Sequence, residues 1–148
     1  MIDLATLHEQ NHKITELSNV FVYLAGERAL CDTETACRLF FDYGNRLQEH
    51  LDQVDQLVKR HLSGHGEPRT TNLARKLVAD SGLLRFNCRK YLERWTEPGK
   101  ERFRIADHQA FVAETQALFE LVLERIERET ELLYPLLRQV EDDARRAA

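Results

Sequence analysis

FVAETQALFELVLERIERETELLYPLLRQV, from Phe111 to Val140, has the pattern of one long amphipathic helix. Apolar residues recur at Phe111, Leu118, Val122, Leu132 and Leu136, and Phe119, Ile126, Leu133, Leu137 and Val140 widen the stripe. Steps of three and four place them on one face of a long helix. The same seam passes through Thr115, Arg125 and Glu129. An arginine and a glutamate four residues apart, on or beside a face that must be buried, are the anomaly. Charge taken out of water is costly unless it is paired or bound. The functional question is therefore what Arg125 and Glu129 meet inside the protein.

The rest of the chain supplies three more helices of this kind. The first is predicted over residues 3–25, capped by Asp3, with Leu4, Leu7, Ile14, Leu17, Phe21 and Leu24 as its stripe and Asn11 on that stripe. His8 and His12, one turn apart, fall off the apolar face and read as a solvent-side pair. The second helix, 33–62, starts at Asp32 or Thr33 with a capping-box-like acid downstream. Its seam runs Phe40, Tyr43, Leu47, His50, Val54, Leu57 and His61. Ser63 to Thr70 holds two glycines and a proline and reads as a loop, with His65 a loop histidine. The third helix, 70–96, buries Leu73, Leu77, Leu84, Cys88, Tyr91 and Trp95, and Ser81 takes the remaining seam position. Glu97-Pro98-Gly99 breaks the chain before a fourth helix over 103–142. His108 lies in the first turns of that helix, at the end of the bundle remote from Arg125, and the charged tail after it is expected to fray. Four amphipathic helices with short connections imply a single all-α domain, an up-down-up-down four-helix bundle.

Composition agrees with that class. Of 148 residues, 43% are hydrophobic and 31% charged, with only 6 Gly and 3 Pro, so helix formers dominate. A net charge of −4 gives no support to direct nucleic-acid binding, which needs a basic face. No apolar run is long enough to span a membrane, and the polar N-terminus lacks the order of a signal peptide, so a cytoplasmic protein is expected. Cys31, Cys37 and Cys88 form neither a CxxC nor a zinc pattern and read as reduced thiols in or near the core.

Antiparallel packing brings the odd residues to one height. Asn11 and Ser81 lie two to three turns after the starts of helices 1 and 3, and His50 and Glu129 about three turns before the ends of helices 2 and 4. Arg125 is one turn from Glu129. Each helix thus contributes a polar residue to one buried layer, with Asp55 and His50 as further partners for the Arg125–Glu129 pair.

This layout resembles the hemerythrin-like (HHE) cation-binding bundles. Their di-iron site uses a His on helix 1, a His and Glu on helix 2, a His on helix 3, and a His and Glu four apart on helix 4. The ending RETELLYPLL, Arg128 to Leu137, is similar to that family's helix 4 pattern of Glu, an apolar residue, an aromatic and Pro. Against this pattern Asn11 and Ser81 stand at histidine positions, Val54 at a carboxylate position and Arg125 at the helix 4 histidine. Only His50 and Glu129 match. An arginine neither deprotonates nor coordinates a cation, so the resemblance implies a site whose metal is replaced by the charge of Arg125.

The Rsd/AlgQ proteins, which bind the housekeeping sigma factor of bacterial RNA polymerase, are a similar metal-free variant of that bundle. Leu7-His8, His50 with Asp55, and Arg125, Glu129 and Leu132-Leu133 resemble their pattern. The chain departs from it at Leu47-Gln48-Glu49 and lacks a tryptophan before Leu7. The resemblance implies a regulator that binds a protein, with a sigma factor as partner and no cofactor. The exposed face of helices 1 and 2 carrying His8, His12, Glu49 and Asp52 is the candidate contact. The alternative is a hemerythrin-like cation protein holding iron or zinc on His12, His50 and Glu129, joined by His8 if helix 1 is rotated, and sensing oxygen or iron. No Ser-His-acid constellation or glycine-rich phosphate loop supports an enzyme. Phe41, Tyr23 and Phe86 fall outside the seams, where a dimer interface would use them.

Overall fold

The computed structural model describes residues 2–64 and 66–148; His65 lies outside them. Helix α1, Leu4–Gly26, begins where Asp3 accepts hydrogen bonds from the Thr6 amide at 3.0 Å and the Thr6 hydroxyl at 2.6 Å. Helix α2, Glu34–His61, begins where Thr33 Oγ1 accepts from the Ala36 amide. Each cap satisfies an amide that the helix cannot. Helix α3, Pro68–Trp95, starts two residues earlier than the expected 70, because a proline at the first turn gives up no hydrogen bond. Helix α4, His108–Arg128, is capped by Asp107. A π-helical turn, Glu129–Leu133, follows, and α5, Tyr134–Ala147, completes the chain.

The chain is an all-α four-helix bundle. Helix α1 packs on α2, α2 on α3, α3 on α4, and α4 returns to α1. Cross-links fix the antiparallel senses: His108 Nε2 lies 2.8 Å from the carbonyl of Ala25, while Asn11 meets Glu129. No helix among the described residues is long and apolar enough to cross a membrane.

Two clusters fill the interior. One is aromatic, built from Phe21, Phe40, Tyr91, Trp95, Phe111 and Phe119. The other, toward the start of α1, is aliphatic and includes Leu7, Val54, Val58, Leu77, Leu133 and Leu137. The polar layer lies between them.

The fourth helix differs from the expected continuous span of 103–142 in two ways. Residues 96–107 are not helical: the chain turns at Pro98–Gly99 and folds back in an antiparallel Thr96–Phe103 bridge, Arg104 N–H donates to Trp95 O at 2.7 Å, and Phe103 and Ile105 close the aromatic end. The second difference is the π turn. Pro135 has no N–H and its ring would strike the carbonyl four residues back, at Glu131. One extra residue in the turn removes that conflict, and the Tyr134 amide donates to Glu129 O instead. The inserted residue shifts the phase. Glu129, Leu133 and Leu137 point inward, whereas Leu132, expected in the seam, is 48% exposed and Leu136 half-buried. Leu57, His61, Leu73 and Cys88 are likewise only half-buried. The tail, expected to fray, stays helical to Ala147.

Candidate functional site

Asn11, His50, Asp55, Ser81, Arg125 and Glu129 all lie in the interior, and they form two linked clusters. Glu129, with no exposed surface, is the centre of the first. Its Oε1 accepts from His50 Nε2 at 2.7 Å and from the Tyr134 hydroxyl at 2.9 Å, with Asn11 Nδ2 at 3.4 Å. Its Oε2 accepts from Arg125 Nε at 2.7 Å. Asn11 Nδ2 also donates to the Tyr134 oxygen at 2.6 Å, which leaves the phenol proton for Glu129.

Arg125 is 1% exposed and spans two carboxylates. Its Nη1 donates to Leu77 O at 3.0 Å and to Asp80 Oδ2 at 3.1 Å. Asp80 also takes Arg128 Nη2 at 2.8 Å, which carries the network to the surface. On the other side, His50 Nδ1 lies 2.7 Å from Gln10 Oε1, and Gln10 Nε2 donates to Gln53 at 2.9 Å.

Asp55 belongs to the second cluster and does not meet Arg125, contrary to the expected pairing. Ser81 Oγ lies 2.7 Å from its Oδ1, and Arg85 Nη2 reaches its Oδ2 at 3.1 Å and Asp52 at 2.7 Å. The physical reason is reach: Asp80 on α3 faces α4, whereas Asp55 faces α3 from the far side. Ser81 Oγ and Arg125 Nη1 both approach the carbonyl of Leu77, and that shared acceptor joins the clusters. His50, the other expected partner of the pair, binds the carboxylate of Glu129 and not the guanidinium.

Burial by itself would push the Glu129 carboxyl up. The hydrogen bond and charge of His50 and the charge and hydrogen bond of Arg125 outweigh it and hold the carboxyl below the ordinary glutamate value. Burial first, and the negative Glu129 second, push the Tyr134 phenol far above its usual range. The site therefore holds an ionised carboxylate whose oxygens are occupied by protein donors.

A metal does not fit this donor set. His50 and Tyr134 bind Oε1 of Glu129, Arg125 binds Oε2, and Arg125 brings to the same place a fixed positive charge that repels a cation. His12 and His8 are exposed on α1, so neither reaches His50 and Glu129; the ring of His8 instead meets Tyr134 edge-on, 4.7 Å between centroids. Among the described residues no three His, Cys, Asp or Glu side chains are grouped to hold an ion. The thiols lie elsewhere: Cys31 and Cys37 are buried, and burial pushes half-buried Cys88 up to about 11.

Among the members of the network that escape sequence reading are Tyr134, Asp80 and Gln10. Tyr134 is five residues from Glu129, a spacing that an α-helix does not bring together but a π turn does. Pro135 was its available signal. Asp80 and Gln10 sit beside seam residues and carried none.

No protein-family model, curated protein or solved structure matches the chain.

Proposed function

We propose that this chain is a non-enzymatic, cytoplasmic regulator of the Rsd/AlgQ kind, a hemerythrin-like bundle that acts by binding another protein, with a sigma factor as the partner. The observation that carries this reading is the pairing of the buried Glu129 carboxylate with His50 and Arg125. Both oxygens of Glu129 are committed to side chains of the protein, and Arg125 supplies the positive charge. A carboxylate held in this way by protein donors and a fixed guanidinium charge disfavours a bound cation, which supports a role carried by the surface of the molecule.

The face of α1 and α2 supports the same reading. A shallow cleft of about 570 Å³ is lined by His8, Gln10, His12, Lys13 and Arg46. Glu49 and Asp52 are exposed on α2. This face touches the buried layer at two points: His8 packs on Tyr134, and Gln10 bonds His50. A partner seated there meets the network directly.

The test is a titration of the purified chain with a bacterial housekeeping sigma factor, followed by calorimetry and by co-elution. A one-to-one complex weakened by Lys13→Glu or Arg46→Glu is the expected result. No complex at tens of micromolar would refute the sigma-factor reading.

A further inference from the structure

We propose that the groove between α3 and the π turn with α5 is a dimer interface, occupied by the same stretch, Glu131 to Asp143, of a second copy of this chain. This rests on a different surface from the face described above and does not depend on the regulatory reading.

The groove, about 960 Å³, follows from the π turn. The shift of phase turns Leu132 and Leu136 out of the core, and α3 packs closely on α4 but not on α5. Leu73 from α3 and Leu132, Leu136 and Val140 from the other side give it an apolar floor. Its walls differ in net charge, although Glu67 at the start of α3 adds one acid to the basic side. Arg69 and Lys76 line the α3 side, and Glu131 and Asp143 the α5 side. None of these four is in an ion pair among the described residues.

The occupant that this groove fits is a helix with an apolar stripe and carboxylates for Arg69 and Lys76. The stretch from Glu131 to Asp143 is that helix. Its stripe, Leu132, Leu136 and Val140, has the i, i+4, i+8 spacing of a helix that lies in a groove, and Leu132 to Asp143 spans about 17 Å. In a two-fold arrangement α5 of each copy lies over the groove of the other. The carboxylates of one then face the basic wall of its partner, twice over. Such an isologous contact is self-complementary, as a two-fold interface must be. It also covers Leu132, otherwise an exposed leucine beside unpaired charges.

Sedimentation equilibrium and light scattering on the full chain, from low to high micromolar concentration, test the proposal. A concentration-dependent dimer is expected. Arg69→Glu with Lys76→Glu in one variant, and Glu131→Lys with Asp143→Lys in another, should each weaken self-association by on the order of tenfold or more, because like charges then face each other. Mixing the two variants should restore a dimer, now of unlike chains, since every reversed pair is again complementary. Leu132→Asp should abolish association, while Phe86→Ser, on the outer face of α3, should not. The altered residues are exposed or at the rim, and an unchanged helical circular dichroism spectrum verifies folding. A monomer at all concentrations would overturn the proposal. So would a dimer indifferent to Leu132→Asp and to the charge reversals, which would put the contact on another face and leave this groove to a different protein's helix.

Discussion

Around Phe119 the interior is made of rings: Phe21, Phe40 and Tyr43 lie 5.5, 6.3 and 4.8 Å from it between centroids. Two to three turns further along, around Glu129, the interior is polar and charged: Arg125, the imidazole of His50 and, one contact out, Asp80. Both regions are buried, but they fail differently. A ring removed from the first leaves a cavity, and its cost follows the volume lost. A partner removed from the second leaves a stranded charge, and its cost follows pH. The difference shows which half can tolerate sequence change: the aromatic half accepts another apolar side chain, whereas the charged half accepts only changes that keep Glu129 satisfied.

Breaking the charged half should have the largest effect. Arg125→Ala is expected to destabilise by about 3–5 kcal/mol in urea unfolding, because it strands a buried carboxylate. Phe119→Ala, the matching deletion in the aromatic half, should cost a similar amount, about 3–5 kcal/mol. Acid separates them. Lowering the pH protonates the stranded Glu129 and should narrow the Arg125→Ala deficit, while the Phe119→Ala deficit should stay constant.

A smaller loss sharpens the same contrast. Glu129→Gln keeps the shape but removes the charge that Arg125 and His50 address, and should cost about 2–3 kcal/mol near neutral pH. In the parent, the folded state holds the Glu129 carboxyl below its ordinary value. The unfolded chain therefore takes up the proton first as pH falls, and the stability due to this group is full above the ordinary glutamate range and is lost through the folded value. Stability against pH, measured by unfolding at each pH, should fall less steeply in acid for Glu129→Gln than for the parent. Tyr134→Phe removes one donor to Glu129 and one acceptor from Asn11, and about 1–2 kcal/mol is expected from the unfolding midpoint. Arg38→Ala breaks only the exposed pair with Glu34 and should change stability by less than about 0.5 kcal/mol.

The two halves also differ in how legible they were. Phe40, Tyr43, Tyr91, Trp95, Phe111 and Phe119 follow helical spacing, and period alone puts them inward. The seam residues Asn11, His50, Ser81, Arg125 and Glu129 follow the same period, so their burial was readable too. Their partners were not. Hydrogen-bond partners across helices depend on height and side-chain reach, which periodicity does not encode, so Asp80 took the place assigned to Asp55 beside Arg125. The regular period itself ended at Glu129. Reading on in steps of three and four centres the stripe on Leu132 and Leu136 with Leu133 and Leu137 at its side, but the π turn before Pro135 advances the phase by one residue, so Leu133 and Leu137 take the centre and Leu132 turns outward.

Metal content tests the central claim, that Arg125 fills by its charge the role a cation would have beside Glu129. The protein would be expressed with iron and zinc supplied, purified without chelator, and assayed by elemental analysis, with melting recorded before and after chelator treatment. Metal far below one ion per chain and a Tm that the chelator does not move are expected. Stoichiometric iron or zinc, lost together with thermal stability on chelation, would contradict it.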